Sequence, residues 1–159
     1  MNLLALGSRT HPLPAATWKA WKRQPAITFG GRHFLAGAPL FIHQFSHAYV
    51  DFREQRDAFA DYHRNSVLAT LAHRQFCLEL APQFPSWGEK LWGVTASDSA
   101  RGYLAWGGPP RSIDGGALDG TLVPCAAAGS LPFAPREALL TLRHMRESHG
   151  ARIWKRYGF

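Results

Sequence analysis

Two helical patterns constrain the fold of this chain more than any other feature. Asp61 is a favourable N-cap residue for a helix predicted from Tyr62 to about Ala81, where prolines follow. Pro135 suits the first turn of a second helix, which Gly150 is predicted to end. The predicted apolar stripes are Leu68, Leu71, Ala72, Gln75 and Leu78 in the first helix and Leu139, Leu142 and Met145 in the second.

The remaining segments are mostly long, aromatic and rich in Gly and Pro. Residues 1–7 are typical of the last turns of an apolar helix, and a short helix is predicted at 15–21. Thr28 to Gly37 is predicted to be extended, and few other segments favour strands. Helices joined by such loops predict a mainly α fold, either a toroid or a bundle, whose loops carry the function.

Both ends of the chain look truncated. The first helix has no capping residue before it, and the aromatic segment 153–159 has no stop signal. The sequence therefore predicts one partial domain over residues 1–159.

Composition and charge exclude several classes of protein. Aromatic residues make up 13% of the 159 residues and charged residues 18%, which excludes a disordered tail. The net charge is +7, but the basic residues are scattered and form no nucleic-acid recognition pattern, so no nucleic-acid partner is predicted. No apolar run approaches the roughly 20 residues that span a bilayer, and no signal peptide is evident, which leaves the localisation undetermined.

The two cysteines have no spacing typical of a metal site. Cys77 follows Phe76 on the first predicted helix, where a buried free thiol is expected.

A run of hydroxyl, acidic and aromatic residues, WGVTASDSARGYLAWG, occupies residues 92–107. It has neither helical nor strand periodicity, so it is predicted to be a loop. Flat rings stack on sugar rings, hydroxyl groups bond sugar substituents, and a carboxylate performs acid or base catalysis. The alternative is a buried loop in which Asp98 caps a turn. The candidate residues are Trp92, Thr95, Ser97, Asp98, Tyr103 and Trp106.

His43 and His47 are spaced to share one face of a helix. Position 44 is Gln, so the HExxH zinc motif is absent, and no third ligand is evident. No metal site is predicted, and the two histidines are expected near a polar pocket. The charged residues that follow are predicted to pair with each other or with sugar hydroxyls, or to form a solvated face: Asp51, Arg53, Glu54 and Arg56.

Five distinctive motifs follow one another along the chain: LALGSRTHPLP (4–14), GAPLFIHQFSHAYVDFR (37–53), WGVTASDS (92–99), LDGTLVPCAAAGSLPFAP (118–135) and IWKRYGF (153–159). In this order they resemble the glycoamylase-like family of glycoside hydrolases. The family includes β-1,2-glucan-cleaving hydrolases and a domain associated with cyclic β-1,2-glucan synthases. The resemblance implies part of an (α/α)6 toroid with a sugar-binding cleft formed by the loops between helices.

The resemblance also implies which residues lie in the cleft. Asp98 and Asp119 are the predicted catalytic residues, since glycoside hydrolysis uses two carboxyl groups, one as acid and one to activate water. The predicted substrate-binding residues are His43, His47, Asp51, Trp92, Thr95, Ser97, Tyr103 and Trp106. No cofactor is implied, and the expected partner is a β-glucan oligo- or polysaccharide.

The sequence departs from the family pattern at several points. Leu118 stands where a first acid often precedes Asp119, and Arg136 stands where an acid is usual. The family's acidic residues upstream of LALGS and beyond YGF have no counterpart in residues 1–159. Two alternatives to a hydrolase therefore stay open. One is a non-catalytic carbohydrate-binding module, and the other is an assembly fragment that forms a homo-oligomer or needs a complementing chain.

Overall fold

The computed structural model describes residues 2–100, 102–109 and 118–156. The described residues are rich in helix and contain few strands, as the sequence predicts. The last three residues of the IWKRYGF motif lie outside the described residues. The helices are α1 (Asn2–Leu6), α2 (Thr17–Ala20), α3 (Tyr62–Glu79), α4 (Pro124–Ala128) and α5 (Pro135–Ile153), and the strands are β1 (Ala26–Phe29), β2 (Arg32–Leu35), β3 (Ala96–Ser99) and β4 (Gly102–Ala105).

Helix α3 begins at the predicted residue and forms the centre of the described structure. The Asp61 carboxylate accepts a hydrogen bond from the Arg64 backbone N–H at 2.9 Å, so the predicted N-cap is confirmed. The predicted stripe was only partly right. Leu68, Leu71 and Leu78 are half-buried, and the fully buried residues extend over a wider arc of the helix than the predicted stripe. Its buried residues are Ser66, Ala69, Thr70, Ala72, His73, Phe76 and Cys77.

Strands β1 and β2 form an antiparallel hairpin that packs against α3. Gly30 and Gly31 both have positive φ angles, 55° and 72°, as a type I′ two-residue hairpin turn requires. The Leu35 backbone N–H donates to Asn65 Oδ1 at 2.7 Å, and Phe34 packs in a small core with Ala69. The extended segment predicted from Thr28 is therefore a hairpin anchored to the first long helix.

The loop predicted at 92–107 is wrong over its central part, which forms the β3–β4 hairpin. Asp98 pairs with Tyr103, and Ser97 pairs with Leu104. The ASDS strand lacks the alternation of apolar and polar residues that marks a strand in sequence. Its structure depends on pairing and on the packing of Leu104 against the main core.

Two 3-10 helices, Leu40–His43 and Phe45–Ala48, replace the single helix expected around the two histidines. They meet at Gln44, whose side-chain amide donates to the carbonyl oxygen of Ala126 and to Ser130 Oγ, both at 3.1 Å. These contacts join the segment to the α4–α5 region. We call residues 40–53 the 3-10 segment.

The main core lies between α3, the 3-10 segment, the β3–β4 hairpin and α4. Cys77 is fully buried there with a free thiol, as predicted, and burial raises the pKa of that thiol to about 12. Helix α5 continues through Gly150 to Ile153, so its predicted end was three residues too early. Leu139 is exposed, and the buried face of α5 carries Ala138, Thr141, Met145 and Gly150.

Candidate functional site

A cleft of about 1080 Å³ opens between three elements of the described structure. Its lining side chains come from within the 3-10 segment, from residues 95–103 of the β3–β4 hairpin region and from residues 125–133 around the α4–α5 connection. His63, on the first turn of α3, completes the wall. Four predicted substrate-binding residues line this cleft, namely His47, Asp51, Thr95 and Tyr103.

The two predicted histidines do not share a helix face, because the backbone changes course at Gln44. His47 lines the cleft, its Nε2 lies 3.0 Å from Ser66 Oγ, and its ring packs edge-on against Phe52 and Phe133. Burial lowers the pKa of His47, and the neighbouring His63 lowers it further. The neutral form of the His47 imidazole is therefore favoured, and the ring forms part of the cleft wall while it hydrogen-bonds to Ser66 of α3.

His43 is buried and does not line the cleft, which corrects its predicted position. Burial lowers the pKa of His43 to about 4. Among the described residues its Nε2 has no hydrogen-bond partner.

The two predicted indole platforms belong to the core. Trp92 is 0% exposed and Trp106 is 1% exposed, so neither offers a ring face to a ligand. Neither indole N–H has a hydrogen-bond partner among the described residues. Their placement at the cleft surface is therefore corrected to packing beneath the β3–β4 hairpin region.

Thr95 joins two walls of the cleft. It is 2% exposed, and its hydroxyl oxygen accepts a hydrogen bond from the Phe41 backbone N–H at 3.3 Å. This bond holds the start of the 3-10 segment against the entry to β3. Thr95 therefore shapes the cleft through the backbone that it binds.

Asp98 is exposed on β3, directly opposite Tyr103. Directly paired residues of an antiparallel ladder point to the same face, as do residues two apart along a strand. Ala96 and Tyr103 line the cleft, so Asp98 shares the cleft-facing side of the hairpin although it is not itself a lining residue. Ser97 lies on the opposite face, and its hydroxyl donates to the Asp98 carbonyl oxygen at 3.1 Å.

Asp119 lies in a turn rather than in the cleft. Its Oδ1 accepts a hydrogen bond from the Thr121 backbone N–H at 3.0 Å, the pattern of an Asx-turn. Asp119 is exposed and is not among the lining residues. The structure thus does not bring the two predicted catalytic carboxylates together at the cleft.

Asp51 and Arg53 form an exposed ion pair at the cleft. Arg53 Nε lies 2.9 Å from Asp51 Oδ1, and Nη2 lies 2.6 Å from Oδ2. The Arg53 backbone N–H also donates to Oδ1, at 3.0 Å. Side-chain and backbone hydrogen bonds from Arg53 hold the pKa of Asp51 well below its usual range. Asp51 is therefore an ionised acceptor near neutral pH.

Sequence reasoning missed the aromatic side chains that dominate one wall. Phe41 and Phe45 stack with ring centroids 4.7 Å apart, and both line the cleft. Phe45 is 62% exposed and Tyr49 is 80% exposed, which is unusual for large apolar side chains. The concentration of aromatic residues between Phe41 and Phe52 is the sequence signal that could have identified them.

Within residues 2–100, 102–109 and 118–156, no three His, Cys, Asp or Glu side chains are grouped to hold a metal ion. No helix in the described part of the chain is long and apolar enough to cross a membrane.

Comparison with known proteins decides the family. Residues 1–159 match the Glycoamylase family, whose description is "Putative glucoamylase". The chain belongs to the Glycoamylase family. One curated relative of this Glycoamylase-family chain is the exo-β-1,2-glucooligosaccharide sophorohydrolase (non-reducing end) of Parabacteroides distasonis, which is 31% identical over 123 residues. That match covers 77% of this chain and 16% of the relative.

Solved structures agree with the Glycoamylase assignment. The endo-β-1,2-glucanase of Chitinophaga pinensis, solved with sophorotriose and glucose, superposes with a TM-score of 0.87 at 27% identity. It covers 99% of this chain, which spans 40% of that protein. A Bacteroides uniformis protein that carries the same glucoamylase description has a TM-score of 0.87 and 31% identity, with 99% of this chain and 39% of that one covered.

Proposed function

We propose that this Glycoamylase-family chain forms part of the substrate cleft of a glycoside hydrolase that acts on a β-glucan, with β-1,2-linked glucan as the substrate. This proposal is supported mainly by one cleft in which exposed aromatic rings, two of them phenols, lie beside an ion pair. Phe45, Tyr49 and Tyr103 supply the rings, and Asp51 and Arg53 supply the charges. The relatives described as β-1,2-glucan hydrolases support this substrate class.

The cleft has the chemistry that sugar chains require. Glucose presents a flat face of C–H groups that packs on aromatic rings and an edge of hydroxyl groups that needs both donors and acceptors. A volume of about 1080 Å³ is at the upper end of ordinary ligand sites, which suits several sugar units.

Asp98 is the carboxyl group proposed to act on the glycosidic bond. Its exposed position on the cleft-facing side of β3, beside Tyr103, supports this role. A carboxylic acid would protonate the leaving oxygen, and a second carboxylate would activate water. Asp51 is ionised, but its lowered pKa makes it a weak base and Arg53 binds both of its oxygens, so the water-activating carboxylate is not assigned to it. Asp119, proposed as the second acid from the resemblance, holds a turn outside the lining, which weighs against it.

The (α/α)6 toroid is part of this proposal. The two long helices and the high TM-scores to longer family proteins support it. The chain spans about 40% of the length of those solved proteins. The complete toroid, and the activity, substrate and partners of a whole protein, therefore all belong to the proposal.

A non-catalytic carbohydrate-binding module is the second candidate. Neither Asp98 nor Asp119 is among the residues that line the cleft, and this observation favours binding without cleavage. A homo-oligomer or a complementing chain remains a prediction, which light scattering across protein concentrations can test.

Substitution of Asp98 tests the two candidates. We expect Asp98→Asn in the full-length protein to lower turnover of a linear β-1,2-glucan about 10²- to 10⁴-fold, the usual contribution of a general acid or base. Affinity for the glucan should change little, since the amide keeps the shape of the side chain. Reducing-end release and equilibrium binding measure the two effects.

Glu89→Gln is the matched control, because Glu89 is an exposed carboxylate outside the cleft. Unchanged turnover in Asp98→Asn removes the catalytic role of Asp98. Saturable glucan binding without product in the unsubstituted protein selects the binding module instead.

A further inference from the structure

Three aromatic rings from three different elements meet at one wall of the cleft. His47 belongs to the 3-10 segment, His63 to the first turn of α3 and Phe133 to the α4–α5 connection. The ring centroids lie 4.7 Å apart in the pair His47–Phe133, 5.8 Å in His63–Phe133 and 6.0 Å in His47–His63. We call these three residues the three-ring cluster. Because each ring contacts the other two, the cluster fixes the plane of the His63 imidazole.

Most polar side chains of this cleft already bond to the protein itself. Arg53 binds both oxygens of Asp51, and Nε2 of His47 lies 3.0 Å from Ser66 Oγ. The lining side chains that form a hydrogen bond are Gln44, His47, Asp51, Arg53 and Thr95. Their hydrogen bonds hold the walls of the cleft in place.

His63 lines the same cleft but differs from these residues. Neither of its ring nitrogens has a hydrogen-bond partner within the described structure, and neither is a buried atom. The hydroxyl groups of Tyr49 and Tyr103 are unbonded too, but these side chains are 80% and 67% exposed, so fewer contacts fix them. The thiol of Cys125 is only a weak donor. His63 is half-buried, and it is therefore the most firmly fixed of the strong hydrogen-bonding groups that the wall leaves unused.

A fixed imidazole suits the hydroxyl groups of a sugar. In a neutral imidazole, one ring nitrogen donates a hydrogen bond and the other accepts one. A glucose hydroxyl can also donate and accept, so it can pair with either nitrogen. A group that is already held in position loses little side-chain freedom when a ligand binds, which favours affinity.

We infer that His63 is a substrate-binding residue whose imidazole hydrogen-bonds a hydroxyl group of a glucosyl unit in the cleft. His47 and Phe133 act through His63 as positioning residues. The inference rests on the proposed function, because it assigns a ligand contact within that same cleft. It concerns a hydroxyl group, which glucans of any linkage offer.

Exchange of the imidazole for a phenyl ring tests the inference. His63→Phe keeps an aromatic ring in the three-ring cluster but removes both nitrogens. We expect this variant of the full-length protein to bind a linear β-1,2-glucan about ten-fold more weakly, equivalent to 1.4 kcal/mol, because a sugar hydroxyl loses its partner. Affinity electrophoresis measures binding. The urea midpoint should stay unchanged, which shows that the fold is retained.

Two amide variants separate hydrogen bonding from packing. The amide nitrogen of His63→Asn can lie near the position of Nδ1, and that of His63→Gln near the position of Nε2. We expect one of them to bind the glucan more tightly than His63→Phe, because the amide restores a hydrogen bond at the nitrogen that the sugar uses. A role in packing alone predicts the opposite order, since phenylalanine is the better replacement for a ring.

His144→Phe is the matched control. His144 is also a half-buried histidine on a helix, and its ring centroid lies 6.4 Å from that of a second histidine, His149. It lies outside the cleft lining, so we expect the glucan affinity to stay unchanged.

The outcomes for His63 decide whether the hydrogen bond exists. Weaker binding in His63→Phe with recovery in one amide variant supports it. Unchanged binding in His63→Phe, or a loss that neither amide variant recovers, overturns it and leaves the proposed function intact. If His63→Phe lowers the urea midpoint, a difference in affinity between the two amide variants supports the hydrogen bond, and equal affinity overturns it.

Laminarin, a β-1,3-glucan, is the second probe and separates this inference from the proposed function. Binding of laminarin alone, weakened by His63→Phe, supports the hydroxyl contact and overturns the β-1,2-glucan as substrate. Absence of binding to both glucans in the unsubstituted protein overturns both.

Discussion

At the scale of single residues, the junction beneath the cleft depends on a close approach between Gly129 and Gln44. A Cβ atom at residue 129 would lie 2.6 Å from Gln44 Oε1 and 2.8 Å from its Cδ. The Gln44 side chain cannot simply swing away, because it donates hydrogen bonds to the Ala126 carbonyl oxygen and to Ser130 Oγ. Glycine at 129 therefore lets one amide join the 3-10 segment to the α4–α5 connection.

We predict that Gly129→Ala lowers the free energy of unfolding by about 1–3 kcal/mol, the cost of two lost hydrogen bonds. The backbone at residue 129, with φ −66° and ψ −13°, suits alanine, so the steric contact is the cause. Urea denaturation measures the change. Gly88→Ala is the control, since no atom lies within 4 Å of the added Cβ. Equal stability of the two variants would contradict the proposed contact.

At the scale of elements, a buried cation attaches the short helix α2 to the beginning of α3. The Arg23 guanidinium carbon lies 4.0–4.7 Å from the ring centroids of Trp18, Trp21 and Phe59. Arg23 also donates to the backbone carbonyl oxygens of Trp18 and Trp21. Asp57 accepts from the Trp18 indole N–H at 2.6 Å and from the Tyr62 hydroxyl at 2.9 Å.

Replacement of this cation by lysine should loosen the attachment. We predict that Arg23→Lys costs about 1–2 kcal/mol of stability, because an ammonium group cannot stack flat on the rings while it serves two carbonyl groups. Hydrogen exchange should rise in residues 15–24 in particular. Arg32→Lys is the control, since Arg32 makes one exposed hydrogen bond to the Gly30 carbonyl oxygen. A uniform rise in exchange across the chain would count against a local attachment.

Local sequence signals predicted the two long helices of the described structure but not its second hairpin. Asp61 and Pro135 mark helix starts through local chemistry, which sequence shows directly. The strand ASDS carries no such local signal, because its structure depends on a partner strand and on the core below.

The candidate site shows the same division. His47, Asp51, Thr95 and Tyr103 were identified by residue type and resemblance, and they do line one cleft. Trp92 and Trp106 have the same residue type as a sugar-stacking platform, yet they are buried. Burial is set by contacts distant in sequence, which local composition does not encode.

At the scale of the whole molecule, buried histidines link stability to pH. Burial lowers the pKa of His73 to about 3 and of His43 to about 4. The His73 Nε2 accepts the Val94 backbone N–H at 3.1 Å, so its protonation would break this bond. Between these values and 6.5, the usual histidine pKa, the unfolded chain binds more protons than the native one.

We predict that the contribution of these histidines to the free energy of unfolding is greatest above pH 6.5 and falls as the pH decreases toward 4. Each buried histidine contributes a slope of about 1.4 kcal/mol per pH unit. His73→Gln should reduce the slope by the contribution of one histidine, because glutamine does not titrate. The variant should still fold, since the amide oxygen can accept the Val94 N–H. Urea denaturation from pH 7 to 4 measures it, with His11→Gln as an exposed control. An unchanged slope in His73→Gln would exclude His73 as the source.

The walls of the cleft are synthesised at different times. They lie far apart along the chain, and the 3-10 segment, which ends at Arg53, leaves the ribosome some eighty residues before Phe133. At about 5–20 residues per second, the first wall waits roughly 4–16 seconds for the last. Phe45 and Tyr49, which stay exposed in the folded structure, are exposed throughout that interval beside the charged side chains of Asp51 and Arg53. These charges are expected to act against aggregation of the nascent segment, as charged residues beside apolar stretches do, before any sugar is bound.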